Sequence, residues 1–152
     1  MIEQIFDKKQ KMIISRQILE SLKEWFEVDE SREKYISESA GQVFIAAKEN
    51  DKYTGFLCLK VTGKDTVEIA VMGVLKEYQR KGVGRQLFEK AKAVSTYSGY
   101  SFMQVKTVQM GKYADYDKTN LFYISCGFKE FEVFPLLWDE NNPCQVYVMS
   151  LK

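Results

Sequence analysis

The sequence contains no histidine. That absence excludes Ser-His-Asp and Cys-His nucleophiles and removes the commonest ligand of catalytic zinc. Any chemistry must run on carboxylates, tyrosine, cysteine, lysine or backbone dipoles. Cysteine is sparse: Cys58, Cys126 and Cys144 are odd in number, widely spaced and without a CxxC pair. The pattern fits free thiols in a reducing cytosol and supplies no metal ligand set, so a cytoplasmic protein without a metal is expected. Only two prolines occur, Pro135 and Pro143, and no linker or repeat divides the chain. A single domain over residues 1–152 is the reading. No apolar run approaches the ~18 residues a bilayer span requires. The opening MIEQIFDKKQK breaks its apolar residues with acids, unlike a signal peptide. Charge of one sign is also lacking: 22 Lys and Arg stand against 21 Asp and Glu, for a net charge of +1. No global field recruits nucleic acid or an anionic membrane, and any basic site is local.

What is present is an ordinary globular composition, 45% hydrophobic and 14% aromatic, at a size that buries a real core. Ile2–Phe6 reads as a short strand. Ile14, Ile18, Leu22, Trp25 and Phe26 follow at helical spacing and predict an amphipathic helix from Lys9 to Phe26. A shorter helix, Ser31–Ser39, begins with acids that suit a helix N-terminus. Three β-rich runs, Val43–Ala47, Gly55–Val61 and Val67–Val74, are separated by turn-like stretches and form an antiparallel meander. Val83, Leu87, Phe88, Ala91 and Val94 mark a long helix that Gly99 ends, and Phe102–Val108 is a strand. The segment Val67–Val108 is therefore a β-α-β unit. A helix over Lys118–Cys126 and two strands, Phe128–Phe134 and Gln145–Leu151, complete the chain, with Trp138 and Pro143 in the loop between them. The class is α+β, a mixed and mainly antiparallel sheet with flanking helices.

The chemically informative stretch is Leu75-Lys76-Glu77-Tyr78-Gln79-Arg80-Lys81-Gly82-Val83-Gly84-Arg85, where an apolar strand ends and a helix begins at two glycines. A helix N-terminus presents unpaired N–H groups and the positive end of a dipole, which together bind phosphate. Gly82 and Gly84 let the backbone approach an anion, and Arg80, Lys81 and Arg85 add charge. The competing reading is a flexible turn with solvated charges. Neither a Walker loop nor a GxGxxG fingerprint is present, since the third residue after Gly84 is Leu87.

Gln79-Arg80-Lys81-Gly82-Val83-Gly84 resembles the (Q/R)xxGx(G/A) pyrophosphate motif of the GNAT superfamily of N-acetyltransferases. Asn120-Leu121-Phe122-Tyr123-Ile124-Ser125-Cys126-Gly127-Phe128 resembles that superfamily's later helix, and the order of elements matches its fold over nearly the whole chain. The resemblance implies acetyl-CoA as cosubstrate, a primary amine as acceptor, and direct transfer in a ternary complex. Dimers are common in the family, so a homodimer is compatible with it. Pyrophosphate would meet Gln79, Arg80, Lys81, Gly82, Val83, Gly84 and Arg85. Pantetheine would lie where the sheet splays between Val67–Val74 and Phe102–Val108, pairing with backbone at Met72, Gly73 and Val74. An N–H there would stabilise the thioester oxyanion, and Gly73 would permit the close approach.

Each candidate residue has a chemical role implied by the resemblance and a plainer alternative. Tyr123, still protonated at neutral pH, is the general acid for the departing thiolate, or else an aromatic packed against the sheet. Asn120 bonds a pantetheine amide, or caps its helix. Glu68 is the general base, acting through water, or a solvent-facing residue at a sheet edge. Cys126 and Cys144 lack a histidine to activate them, which argues against an acyl-enzyme. Trp25, Phe26, Tyr35 and Trp138 line an acceptor pocket or belong to the core. Asp115, Asp117, Asp139 and Glu140 meet a cationic amine or are solvated loop charges. The rival to catalysis is a non-catalytic acyl-CoA-binding module on the same fold, which would need neither acid nor base.

Overall fold

The computed structural model describes residues 1–152. Its first element, strand β1 (Ile2–Ile5), leads into helix α1 (Lys8–Ser21), whose N-cap Asp7 accepts a hydrogen bond from the Gln10 amide at 2.8 Å. Helix α2 (Asp29–Ser39) carries Asp29 and Glu30 in its first turn, where the helix dipole favours acids. Strands β2 (Val43–Glu49), β3 (Lys52–Gly63) and β4 (Thr66–Val74) follow, then a 3-10 turn at Lys76–Tyr78 and helix α3 (Val83–Tyr97). Strand β5 (Phe102–Val108), helix α4 (Ala114–Ser125), and strands β6 (Lys129–Asp139) and β7 (Asn142–Ser150) end the chain.

The seven strands have the order β1-β2-β3-β4-β5-β7-β6. β1–β2, β2–β3, β5–β7 and β6–β7 pair antiparallel, whereas β4 and β5 pair in parallel across the α3 crossover. The expected mixed α+β sheet is present. Two compact units divide the chain: residues 1–60 with 70–94, and residues 61–69 with 95–152. β4 is therefore shared, its first four residues belonging to the second unit and its last five to the first.

In the first unit, Ile14, Ile18, Leu19 and Leu22 pack with Ile36, Phe44, Phe56 and Val71 in one core. Phe44 and Phe56 stack at 5.3 Å, and each is fully buried. In the second unit, Met103, Val105, Val146, Tyr147 and Phe128 are buried.

The boundaries that differ most from the sequence reading lie in α1, α4 and the β6–β7 hairpin. Helix α1 ends at Ser21 rather than Phe26, because the Leu22 carbonyl takes both the Trp25 and Phe26 amides in a turn. Trp25 and Phe26 still pack on the core, which is why their spacing imitates a continuing helix. Helix α4 starts at Ala114, behind a Tyr113 cap that makes no side-chain hydrogen bond and so leaves no polar signature. β6 continues through Pro135 and Trp138 to Asp139, and β7 begins at Asn142, so the expected loop is a tight turn. Proline is tolerated because β6 is an edge strand with irregular register at this point.

Candidate active site

In the first unit, residues Ala70–Val74 of β4 form the last strand of the order β1-β2-β3-β4, and the register with β5 covers only Thr66–Ile69. Met72 and Val74 are half-buried on this edge segment. Gly73 is buried, and a Cβ there would lie 3.0 Å from Leu22 Cδ1 and 3.3 Å from Ile18 Cγ2. Ile18 of α1 and Leu22 just beyond it therefore crowd this side of the strand.

The edge runs directly into the glycine loop. The Leu75 amide bonds the Thr54 carbonyl at 2.9 Å, and the Gln79 amide closes the 3-10 turn on the Lys76 carbonyl. Gln79 then turns its side chain inward: Nε2 donates to the Val74 carbonyl at 2.8 Å. Its carboxamide nitrogen ties the loop to the strand end. Arg80 takes φ of +62° and Gly82 takes φ of +85°, left-handed backbone on both sides of Lys81, and turns of this kind form anion-binding concavities. Nothing lies within 4 Å of a Cβ built on Gly82, so the backbone angle, not space, favours glycine there. The Gln86 amide makes the first bond of α3, to the Gly82 carbonyl at 3.0 Å. The Val83 and Gly84 amides ahead of it have no carbonyl one turn back. Lys81 sits over the Tyr78 ring at 5.7 Å, Arg85 lies 3.7 Å from Glu89, and Arg80 is exposed. The loop is an electropositive cradle at the start of a four-turn helix.

The second unit holds the candidate acid and base. Glu68 is only 5% exposed and lies on a central strand, which removes the sheet-edge alternative. Its Oε1 accepts from Lys106 Nζ at 2.8 Å, so the buried carboxylate is paired. Cys144, fully buried on β7, feels both charges: burial pushes its thiol up, Lys106 opposes this and Glu68 reinforces it. Burial also pushes the Cys58 thiol up. All three cysteines are buried, which suits small hydrophobes better than nucleophiles.

Tyr123 is buried in α4, its ring 5.8 Å from that of Phe128 and 6.3 Å from that of Tyr147. Asn120, one turn earlier, is completely buried. Its Nδ2 donates to the Val108 carbonyl at 2.9 Å and the Tyr116 carbonyl at 2.7 Å, while Oδ1 accepts from Tyr147 Oη at 2.6 Å. Both N–H groups are spent within the protein. The pantetheine bond expected of Asn120 has no exposed donor to make it, and the helix-cap alternative fails too because Asn120 lies mid-helix. Burial first, and Glu130 second, push the Tyr147 hydroxyl up, which keeps it a neutral donor.

Two residues absent from the sequence reading thus matter: Lys106 and Tyr147. The only signal for Lys106 was a charge of opposite sign on the strand that pairs with Glu68's; Tyr147 looked like any aromatic in an apolar strand. The other suggested groups have local duties. Asp117 accepts from the Gly111 amide and Asp139 from Asn141 and Asn142. Trp25 and Phe26 pack on the core, with Phe26 edge-on to Tyr35 at 5.9 Å, while Trp138 is half-exposed. No group of three or more His, Cys, Asp or Glu is placed to hold a metal ion. No helix is long and apolar enough to cross a membrane.

The family model of the acetyltransferase (GNAT) domain matches residues 39–130, and the chain belongs to that family. An uncharacterized N-acetyltransferase of Chlorobaculum tepidum is 35% identical over 80 residues, 51% of this chain; the chain spans 45% of that relative's length. A protein assigned to the GNAT family in Desulfovibrio desulfuricans superposes with a TM-score of 0.85 at 20% identity, covering 100% of this chain and 99% of its own. An aminoglycoside 6′-N-acetyltransferase complexed with coenzyme A superposes with a TM-score of 0.78 at 17% identity, covering 100% of this chain and 97% of its own. At these identities the likeness establishes the GNAT fold.

Proposed function

We propose that the protein is an acetyl-CoA-dependent N-acetyltransferase that passes the acetyl group directly to a primary amine. The observation that carries this reading is the continuity of the Ala70–Val74 edge with the left-handed Arg80–Gly82 cradle. An extended pantetheine arm adds to such an edge through main-chain hydrogen bonds, and a pyrophosphate fits the cradle that follows.

On this reading Glu68, through water, takes one proton from the acceptor ammonium. The freed amine nitrogen attacks the thioester carbon, and an amide N–H of Met72–Val74 stabilises the oxyanion. The C–N bond forms, the C–S bond breaks, and Tyr123 gives its proton to the departing thiolate. The second amine proton leaves through water as Tyr123 is reprotonated. The products are the acetamide, CoA thiol and one proton. Buried cysteines with raised thiols support direct transfer without an acyl-enzyme.

A non-catalytic acyl-CoA-binding module is favoured by one observation, the engagement of Glu68 with Lys106. Tyr123→Phe separates the two readings. The substitution keeps the ring contacts and removes the hydroxyl. With an amine acceptor found by screening for CoA thiol release, turnover falls about 10²-fold or more while acetyl-CoA affinity holds. Wild-type turnover in the folded variant removes Tyr123 from the mechanism; a panel that never releases CoA thiol from a protein that binds acetyl-CoA favours the module.

A further inference from the structure

We infer that Tyr147 is a positioning residue that fixes the rotation of α4, and with it the Tyr123 hydroxyl, through Asn120. The inference rests on the proposed role of Tyr123 as acid. Helix α4 starts without a side-chain cap, and the exposed bond of its first turn, from the Gly111 amide to Asp117, reaches only the preceding loop. The buried anchor is Asn120, whose carboxamide joins three elements at once. Nδ2 reaches the Val108 carbonyl at the last residue of β5 and the Tyr116 carbonyl within α4, and Oδ1 takes the Tyr147 hydroxyl from β7.

Tyr147 is 1% exposed and Asn120 is 0% exposed, so no water competes for this bond. Asn120 and Tyr123 are three residues apart and share a helix face. A tyrosine hydroxyl stands roughly 8 Å from a helix axis, so a rotation of about 10° moves it more than 1 Å. Displacement on that scale is enough to cost about 10²-fold in a proton-transfer step. Tyr147 also touches the acid's ring directly, at 6.3 Å between centroids, and Tyr147→Phe leaves that contact in place. Loss of the hydroxyl therefore isolates the Asn120 clamp from the packing.

The test is a kinetic cycle of wild type, Tyr147→Phe, Tyr123→Phe and the double variant, with an acceptor amine from the panel. Tyr147→Phe is expected to lower kcat about 10-fold or more, leave the acetyl-CoA KM within about 2-fold, and move the alkaline limb of the kcat profile. In the Tyr123→Phe background the same substitution is expected to change kcat less than about 2-fold, because the group it positions is already gone. A role confined to stability would lower Tm and leave the kcat profile in place. Asn120→Ala breaks the same clamp from the helix side and gives a second cycle should Tyr147→Phe fail to fold. Wild-type kcat in folded Tyr147→Phe, or an undiminished effect in the Tyr123→Phe background, overturns the inference alone. Wild-type kcat in Tyr123→Phe overturns the acid assignment and this inference with it.

Discussion

Replacing Gly82 by alanine perturbs one backbone angle and nothing else. A methyl group at that position meets no atom within 4 Å, so no steric term enters. What enters is the φ of +85°, which an L-residue adopts at a cost of about 1–2 kcal/mol. The cost must surface in one of two measurements. If the unliganded loop keeps its left-handed path, the folded protein loses that stability and Tm falls by about 2–4 °C for each kcal/mol at this chain size. If the loop relaxes and is forced left-handed only around pyrophosphate, Tm holds and the acetyl-CoA Kd rises about 5–30-fold. Intermediate cases divide the same total between the two. Differential scanning calorimetry and isothermal titration with acetyl-CoA, on both proteins, close the sum. A folded Gly82→Ala protein with unchanged Tm and unchanged Kd would refute the cradle as drawn.

Gly84→Asp places a carboxylate beside the anion site; the acetyl-CoA Kd is expected to rise about 30-fold or more in titration calorimetry, and an unchanged Kd puts the phosphates elsewhere. Glu68→Gln keeps the shape of the buried side chain and removes its charge; turnover is expected to fall about 10²-fold and the acid limb of the kcat/KM profile to disappear, whereas a preserved limb assigns the base to another group. The Cys58 and Cys144 thiols are pushed up, so at a given pH less of the reactive thiolate forms than on a free cysteine. An aromatic disulfide reagent at pH 8 should label the native protein slowly and all three cysteines after unfolding; one fast native thiol contradicts their burial.

Residue patterning makes most of the fold legible in the sequence. The β-rich run Val67–Val74 and the helical spacing of Val83–Val94 place the strand, loop and helix that carry the cradle. It misled wherever apolar spacing had a second cause, as at Trp25 and Phe26, which reach the core from a turn. The loop residues were readable because the chemistry is local: glycine, charge and helix start fall within seven consecutive positions. Glu68 and Asn120 were singled out, but not their surroundings. Lys106 arrives from 38 residues away and Tyr147 from 27, and pairings at that separation follow from strand order rather than from local pattern. Gln79 illustrates the same limit at short range, since nothing in its motif says that the amide turns back on Val74.

The division of β4 between the two units has a consequence for synthesis. The first unit needs residues 70–94, which follow the first residues of the second, so neither is one uninterrupted stretch of chain. On the ribosome, β1 to β3 must wait for Val71 and Leu75, at and just after the end of β4, before their core can close. The residues that complete the second unit then take several seconds more at ~5–20 residues per second. During that interval Thr66–Ile69 emerge ahead of β5, the strand they pair with. A nascent GNAT chain of this design therefore exposes an unmatched β-edge in midstream, and slow codons placed after α3 would lengthen that vulnerable window.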